Sequence, residues 1–164
     1  MVTVPMTAPT PRKPVTLLCA EDDADYRLLT RRALKASRLA NDLRFVEDGE
    51  ELMDYLYRRG KFAGPGSAPR PGLILLDLNL PKKDGREALE EIKKDPDLRR
   101  IPVVILTTSN AEEDVLRTYS LGASSYIRKP VNMTSLVDIM STLGHYWFEI
   151  VELAPDTTPE NEPA

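Results

Sequence analysis

The sequence predicts an α/β domain built on a parallel sheet of five strands. Short apolar runs alternate five times with longer segments whose apolar residues recur at helical spacing. The two central runs, at 73–76 and 102–106, are apolar throughout, as expected of strands that are buried on both faces. Short links between strands and helices favour parallel strands joined by right-handed crossovers. The 164 residues are enough for one such domain with a full core.

The first half of the chain supplies two pairs of strand and helix. The apolar run at 15–20 ends at an acidic stretch, where Asp23 or Asp25 can cap the helix that follows. Residues 42–46 predict an edge strand, and a turn then leads into the second helix. The segment 60–72 is rich in glycine and proline, so we expect a long loop before the central strand.

The second half supplies three more pairs. A helix follows the central strand and ends before Pro96, because the residue ahead of a proline is pushed out of the helical region. Another helix follows the strand at 102–106, and Gly122 is placed to end it in a left-handed conformation. A short strand is expected at 125–129, and the last helix from about 132 to at least 148.

The two ends of the chain differ in composition from its middle. Residues 1–13 are rich in proline and predict a disordered arm. Residues 154–164 predict a disordered acidic tail. The folded domain is therefore expected over 14–153, including an extended last helix.

The composition excludes several classes of function. Lys and Arg number 22 against 26 Asp and Glu, so the net charge of −4 gives no electrostatic reason to bind nucleic acid or an anionic membrane. Without a long apolar run or a signal peptide pattern, a cytoplasmic location is expected. Cys19 is the one cysteine, which excludes internal disulfides, and His145 is the one histidine, which leaves little for histidine-based metal sites or triads.

Polar groups suited to phosphate chemistry follow four of the predicted strands. They are Glu21 and Asp22 after the first strand, Asp77 after the third, Thr107 at the end of the fourth and Lys129 at the end of the fifth. The carboxyl ends of parallel strands share one edge, so these groups should converge. Carboxylates packed together repel one another and imply a bound cation, and oxygen ligands suit Mg²⁺. Asp77 could then act as a nucleophile and carry a phosphoryl group, with Thr107 and Lys129 binding its oxygens.

Four of these residues also have a simpler interpretation. Glu21 could be only a charge at a helix N-terminus, Asp77 only the start of a turn, Thr107 a turn residue, and Lys129 a solvated lysine. Taken one at a time, the simpler roles are adequate. The occurrence of all these groups at four strand ends of one sheet favours a functional site.

Over residues 15–148 the sequence resembles the receiver domain of bacterial two-component response regulators, the CheY-like family. The matching features are Glu21-Asp22, LLDLNLP at 75–81, LTT at 106–108, Gly122-Ala123 and YIRKP at 126–130. Their mutual spacing also matches that of the family. The resemblance implies a flavodoxin-like (βα)5 doubly wound sandwich with strand order 2-1-3-4-5. It also implies that Asp77 is the phosphoacceptor, and that Asp22, Asp77 and the backbone carbonyl of Asn79 bind Mg²⁺. Glu21 would act through a metal-bound water, although its longer reach compared with Asp leaves direct ligation open.

The resemblance also implies a switch. Lys129 would pair with the phosphoryl group, and the peptide bond between Lys129 and Pro130 would be cis. Thr107 would move toward the phosphoryl group, and Tyr126 would swing inward to fill the vacated space, unless Tyr126 is simply a fixed aromatic on the strand. The signal would leave through the face of the fourth helix, the fifth strand and the fifth helix.

Apolar residues in and after the last helix exceed what one sheet face can cover, which predicts a homodimer. The predicted interface consists of Ile139, Tyr146, Trp147, Phe148 and Val151. His145 lies in the same segment and is expected to be a surface or interface residue rather than a phosphodonor.

Within the family, the sequence resembles the stand-alone Rcp type of regulator that is encoded beside bacterial phytochromes. The insertion at 60–72, the residues at 106–109 and 126–131 and the aromatic end of the last helix support this subgroup. The implied partner is a sensor histidine kinase, a bacteriophytochrome.

The alternative enzyme is a Mg²⁺-dependent phosphatase of the haloacid dehalogenase type. Such enzymes need a second acid two residues after the nucleophile, and here that position is Asn79. A flavin-binding module is disfavoured because the acidic residues after the first strand would repel the cofactor phosphate. We therefore predict a signalling receiver that catalyses only its own phosphotransfer and dephosphorylation.

Overall fold

The structure is a computed structural model that describes residues 15–37, 41–109 and 111–145. In these ranges five strands and five helices alternate along the chain. The strands are β1 Thr16–Ala20, β2 Asp42–Val46, β3 Leu73–Leu76, β4 Val103–Thr107 and β5 Ser125–Arg128. The helices are α1 Ala24–Ala36, α2 Gly49–Tyr57, α3 Gly85–Lys94, α4 Glu112–Ser120 and α5 Met133–Gly144. Short 3₁₀ helices cover Gly60–Phe62 and Leu98–Arg100.

The strands form one parallel sheet in the order β2-β1-β3-β4-β5. This confirms the predicted flavodoxin-like doubly wound fold and its strand order. Successive residues of a strand point to opposite faces of the sheet. In β1, Leu17 and Cys19 face a core shared with α1 and α5, whereas Leu18 and Ala20 face a core shared with α2 and α3. Both faces are covered, which explains why the central strands are apolar throughout.

Two predicted helix ends, the start of α1 and the end of α4, are confirmed. Asp23, rather than Asp25, caps α1 and accepts the backbone N–H groups of Asp25 and Tyr26. Gly122 follows the end of α4 with φ of 99°, the left-handed conformation expected from its position. The predicted loop at 60–72 contains the first 3₁₀ helix but no strand or α-helix.

Several predictions concern residues that the structure does not describe. The arm at 1–13, the tail at 154–164 and the last helix beyond 145 lie outside the described residues. Four of the predicted dimer residues are also outside the described residues, namely Tyr146, Trp147, Phe148 and Val151. The fifth, Ile139, is half-buried and packs against the core between α1 and α5. No helix within the described ranges combines the length and the hydrophobicity needed to cross a membrane.

Candidate functional site

Backbone hydrogen bonds carry the sheet pattern one residue past three of the strands. They join Glu21 N to Val46 O at 2.9 Å, Asp77 N to Ala20 O at 3.1 Å, and Lys129 N to Thr107 O at 2.8 Å. These bonds fix the residue that follows β1, β3 or β5 at the carboxyl edge of the sheet. The sheet itself therefore brings together three of the predicted site residues.

Three carboxylates meet at this edge. One oxygen from each of Glu21, Asp22 and Asp77 lies within 4.8 Å of the others. Glu21 and Asp77 are buried, at 2% and 5% exposure, whereas Asp22 is exposed to solvent. Burial raises the pKa of Glu21 above its usual value, and the ion pair with Lys129 offsets part of this increase. The donor set is made only of hard oxygen atoms, so it fits a divalent cation such as Mg²⁺.

Lys129 compensates the charge of the two buried carboxylates. Its Nζ lies 2.9 Å from Oδ2 of Asp77 and 2.5 Å from Oε2 of Glu21. Burial alone would lower the pKa of Lys129, but hydrogen bonds to Asp77 and Glu21 outweigh it and raise the pKa. The ammonium is therefore held in its charged form between two anionic partners.

Asp77 accepts hydrogen bonds at both carboxylate oxygens. The hydroxyl of Thr107, which is fully buried, donates to Oδ1 at 2.8 Å, and the backbone N–H of Asn79 donates to the same atom at 3.1 Å. Lys129 donates to Oδ2. These donors fix the orientation of the carboxylate. Metal ligation by the backbone carbonyl of Asn79 stays a prediction.

Tyr126 is half-buried and packs against the core on the α2 and α3 face of the sheet. Its hydroxyl donates to the backbone carbonyl of Ser109 at 2.8 Å. Ser109 lies between β4 and α4, two residues after Thr107. The ring is thus directed toward the loop that leads from the site into α4.

The prediction of a cis peptide bond before Pro130 is wrong. No peptide bond in the described residues is cis. The trans form of a bond before proline is favoured by about 0.5–1 kcal/mol. Lys129 reaches both Asp77 and Glu21 with this trans bond in place, so the contacts of the site do not require the less stable isomer.

A second charged group was not predicted from the sequence. Arg86, in the first turn of α3, donates to both carboxylate oxygens of Asp114 in α4 at 2.6 Å and also pairs with Asp84. The Ser109 hydroxyl donates to Asp114 at 2.7 Å. Arg86 and Asp114 are 28 residues apart, and no local motif indicates that they would meet.

The sequence profile of the response regulator receiver domain matches residues 17–141 of this chain. The chain belongs to the response regulator receiver family. It is 45% identical over 139 residues to response regulator Rcp1 of Synechocystis sp. (strain ATCC 27184 / PCC 6803 / Kazusa). The match covers 85% of this chain and 92% of Rcp1. This receiver domain therefore resembles the Rcp type over most of its length, as predicted.

Solved structures of similar receivers support the same placement. The phosphorylated cyanobacterial phytochrome response regulator RcpA is 42% identical with a TM-score of 0.80, and the match covers 87% of this chain and 100% of RcpA. The Mn²⁺-bound form of Rcp1 is 43% identical with a TM-score of 0.78, at the same coverage of 87% and 100%. The regulator RPA3017, in red light signalling of R. palustris, is 36% identical with a TM-score of 0.81, covering 87% and 99% of the two chains.

Proposed function

We propose that this receiver domain accepts a phosphoryl group on Asp77 in a Mg²⁺-dependent reaction and thereby transmits a signal. The observation that carries the proposal is the position of Asp77. Its carboxylate is buried at the carboxyl edge of the sheet, beside two further carboxylates and one ammonium. This arrangement combines a nucleophile, a cation site and a positive charge for phosphoryl oxygens.

In the proposed reaction a carboxylate oxygen of Asp77 forms a bond to phosphorus. At the same time the bond breaks between phosphorus and an imidazole nitrogen of the phosphorylated histidine in the donor kinase. The Lys129 ammonium balances negative charge on the phosphoryl oxygens, and the Thr107 hydroxyl donates to one of them. Asp22, Asp77 and the carbonyl of Asn79 would hold Mg²⁺, with Glu21 acting through a bound water. When bound, the cation neutralises charge on the transferred group. We propose no turnover of outside substrates beyond the domain's own phosphotransfer and dephosphorylation.

The proposed switch starts at Thr107. A hydrogen bond to a charged group contributes about 1.5–3 kcal/mol, which shifts a two-state equilibrium roughly ten- to a hundredfold. Tyr126 and Thr107 both contact the segment that leads into α4, through Ser109. A movement of Thr107 toward the phosphoryl group would therefore be transmitted to the face formed by α4, β5 and α5.

The proposed phosphodonor is a sensor histidine kinase of the bacteriophytochrome type. This is supported by the similarity to RcpA, a cyanobacterial phytochrome response regulator, and to RPA3017, which acts in red light signalling.

We further propose that the domain acts in the cytoplasm as a homodimer built on the last helix. Sedimentation of the full chain at micromolar concentration, with and without phosphorylation, should show dimer, and a monomer under both conditions would remove this part of the proposal.

The direct test is incubation with acetyl phosphate and Mg²⁺ followed by intact mass measurement. The native chain should gain the mass of one phosphoryl group, and Asp77→Asn should gain none. Asp25→Asn is the matched control, because this exposed carboxylate lies in the first turn of α1 outside the cluster, and it should react like the native chain. An equal adduct on Asp77→Asn would remove Asp77 from its assigned role.

A further inference from the structure

Tyr26, in the first turn of α1, lies beside the candidate site, and the proposed reaction gives it no role. The Nζ atom of Lys129 is 4.5 Å from the centroid of the Tyr26 ring. This is within the range of about 6 Å over which an ammonium is attracted to an aromatic face. Among the described residues, the ammonium thus contacts the carboxylates of Glu21 and Asp77 and lies beside the ring of Tyr26.

The hydroxyl group does not explain why a tyrosine is present. Its oxygen is buried and has no hydrogen-bond partner among the described residues. A buried hydroxyl without a partner costs free energy, so this group does not stabilise the fold. The contribution of the residue to the site therefore comes from its ring.

Tyr26 is held in place through its backbone and through its ring. The side chain of Asp23, the cap of α1, accepts the backbone N–H of Tyr26 at 3.3 Å. The ring packs against the core between α1, α5 and the sheet. Lysine, in contrast, has a long flexible stem and a compact ammonium that donates in several directions. A fixed ring beside a flexible lysine restricts where the ammonium can lie.

We propose that Tyr26 is a positioning residue that holds the Lys129 ammonium at the phosphorylation site through its aromatic face. This inference rests on the proposed phosphorylation of Asp77. During that reaction the charge of Asp77 moves outward from its carboxylate onto the phosphoryl oxygens. The attraction of the ring for the ammonium does not depend on the charge of Asp77. Lys129 therefore keeps the ring on α1 as a neighbour while the charge of Asp77, one of its two anionic partners, changes.

Two variants separate the ring from the hydroxyl. Tyr26→Leu removes the ring, and we expect the rate of phosphorylation by acetyl phosphate to fall about three- to tenfold. Tyr26→Phe keeps the ring and should react within about twofold of the native rate, since the interaction is with the ring face. If Tyr26→Leu does not fold, as judged by thermal unfolding, Tyr26→Met provides similar volume without a ring and takes its place.

Two further measurements distinguish positioning from packing. In a Lys129→Met background, Tyr26→Leu should cause no additional loss of phosphorylation, because the ammonium that the ring contacts is already gone. In NMR spectra, the ε-methylene protons of Lys129 should show a ring-current shift in the native chain and in Tyr26→Phe, and lose it in Tyr26→Leu.

The proposal is overturned if Tyr26→Leu reacts at the native rate, if Tyr26→Phe is as slow as Tyr26→Leu, or if the ring-current shift is absent from the native chain. These outcomes differ from those expected if the proposed function itself is wrong. If the function is wrong, the native chain gains no phosphoryl group, or Asp77→Asn gains as much as the native chain does.

Discussion

Two clusters in this domain each place one cation between two carboxylates, and they differ in what the cation is. The lysine cluster consists of Lys129, Glu21 and Asp77, and the arginine cluster consists of Arg86, Asp84 and Asp114. The first lies at the carboxyl edge of the sheet, and the second joins the first turn of α3 to α4.

The environments of the carboxyl groups differ in the same way. In the lysine cluster, burial raises the pKa of Glu21. In the arginine cluster, hydrogen bonds from Arg86 lower the pKa of Asp114 to about 2. The side chains of Lys129 and Glu21 are 9% and 3% exposed, whereas those of Arg86 and Asp114 are 21% and 15% exposed. The lysine cluster is thus more buried, and its carboxylate Glu21 is less well stabilised as an anion than Asp114 is in the arginine cluster.

The difference follows from the geometry of the two cations. The planar guanidinium of Arg86 binds both oxygens of Asp114 and leaves that carboxylate well satisfied. The ammonium of Lys129 is a point charge shared between Glu21 and Asp77, which still lie close to the exposed Asp22. The arginine cluster is suited to hold two helices together, and the lysine cluster is suited to exchange partners when a phosphoryl group arrives.

The largest expected effect comes from Lys129→Met. Removing the one cation between two buried carboxylates should lower the free energy of unfolding by about 3–5 kcal/mol near neutral pH. Without Lys129, the pKa of Glu21 in the folded state should rise further above its unfolded value. A group with a raised folded pKa stabilises the fold at low pH, and this stability is lost as the pH rises through the folded pKa. The deficit should therefore shrink as the solution is made acidic.

Urea unfolding at several pH values measures this deficit. Lys94→Met is the matched control, because its side chain is 74% exposed and pairs with Glu90 on the surface of α3. We expect the control to keep native stability. A deficit for Lys129→Met that is independent of pH would contradict the assigned role of Glu21.

Gly85→Ala tests the connection between the two clusters. A Cβ atom at Gly85 would lie 2.2 Å from the carbonyl oxygen of Asp77 and 2.7 Å from Cα of Leu78, so the backbone must shift. We expect the free energy of unfolding to fall by about 1–3 kcal/mol, as for other overpacked positions, and phosphorylation to slow because Asp77 moves.

Thermal unfolding and intact mass after acetyl phosphate treatment measure the two effects. Gly64→Ala is the control, since its nearest contact is the hydroxyl of Ser67 at 3.0 Å on an exposed loop. Native stability and native phosphorylation of Gly85→Ala would show that the start of α3 does not constrain the site.

Asp114→Asn breaks the arginine cluster and should lower the free energy of unfolding by about 1 kcal/mol at neutral pH, because a hydrogen-bonded charge pair is partly screened by solvent. The pKa of folded Asp114, about 2, is below the usual 3.8. The stabilisation is therefore fully present above about pH 4 and is lost as the pH falls toward 2. The native chain and the variant should converge in stability as the solution becomes acidic.

This convergence is measured by urea unfolding between neutral and acidic pH, with the exposed neighbour Glu113→Gln as the control. Phosphorylation of Asp77 should persist in Asp114→Asn, because the arginine cluster contains none of the phosphate-binding groups. Loss of phosphorylation would mean that the two clusters are not separable.

The smallest effect is expected for Tyr126→Phe. It removes the hydrogen bond from the phenol to the carbonyl of Ser109 and keeps the ring in the core. The free energy of unfolding should fall by about 0.5–1 kcal/mol, as for a typical neutral hydrogen bond. Thermal unfolding against the native chain checks this value, and a fall larger than that of Asp114→Asn would reverse the order of importance given to these contacts.

The fold and the main site residues could be predicted because they depend on local patterns. Apolar runs, prolines and capping residues define strands and helices within a few positions. In a parallel sheet all strands end at one edge, so the residues that follow them, Asp77 and Lys129 among them, must lie near one another. This reasoning needs no knowledge of side-chain conformation.

The contacts that were missed depend on how helices pack against the sheet. The ring of Tyr26 reaches Lys129 only because α1 directs it toward the residue that follows β5. Arg86 meets Asp114 only because α3 lies beside α4. The isomer before Pro130 also depends on the surrounding packing, since the two forms differ by only about 0.5–1 kcal/mol. Strand ends follow from residue spacing along the chain, and the strand order was implied by the family resemblance. Contacts between distant side chains follow instead from helix rotation and rotamers, which spacing does not specify.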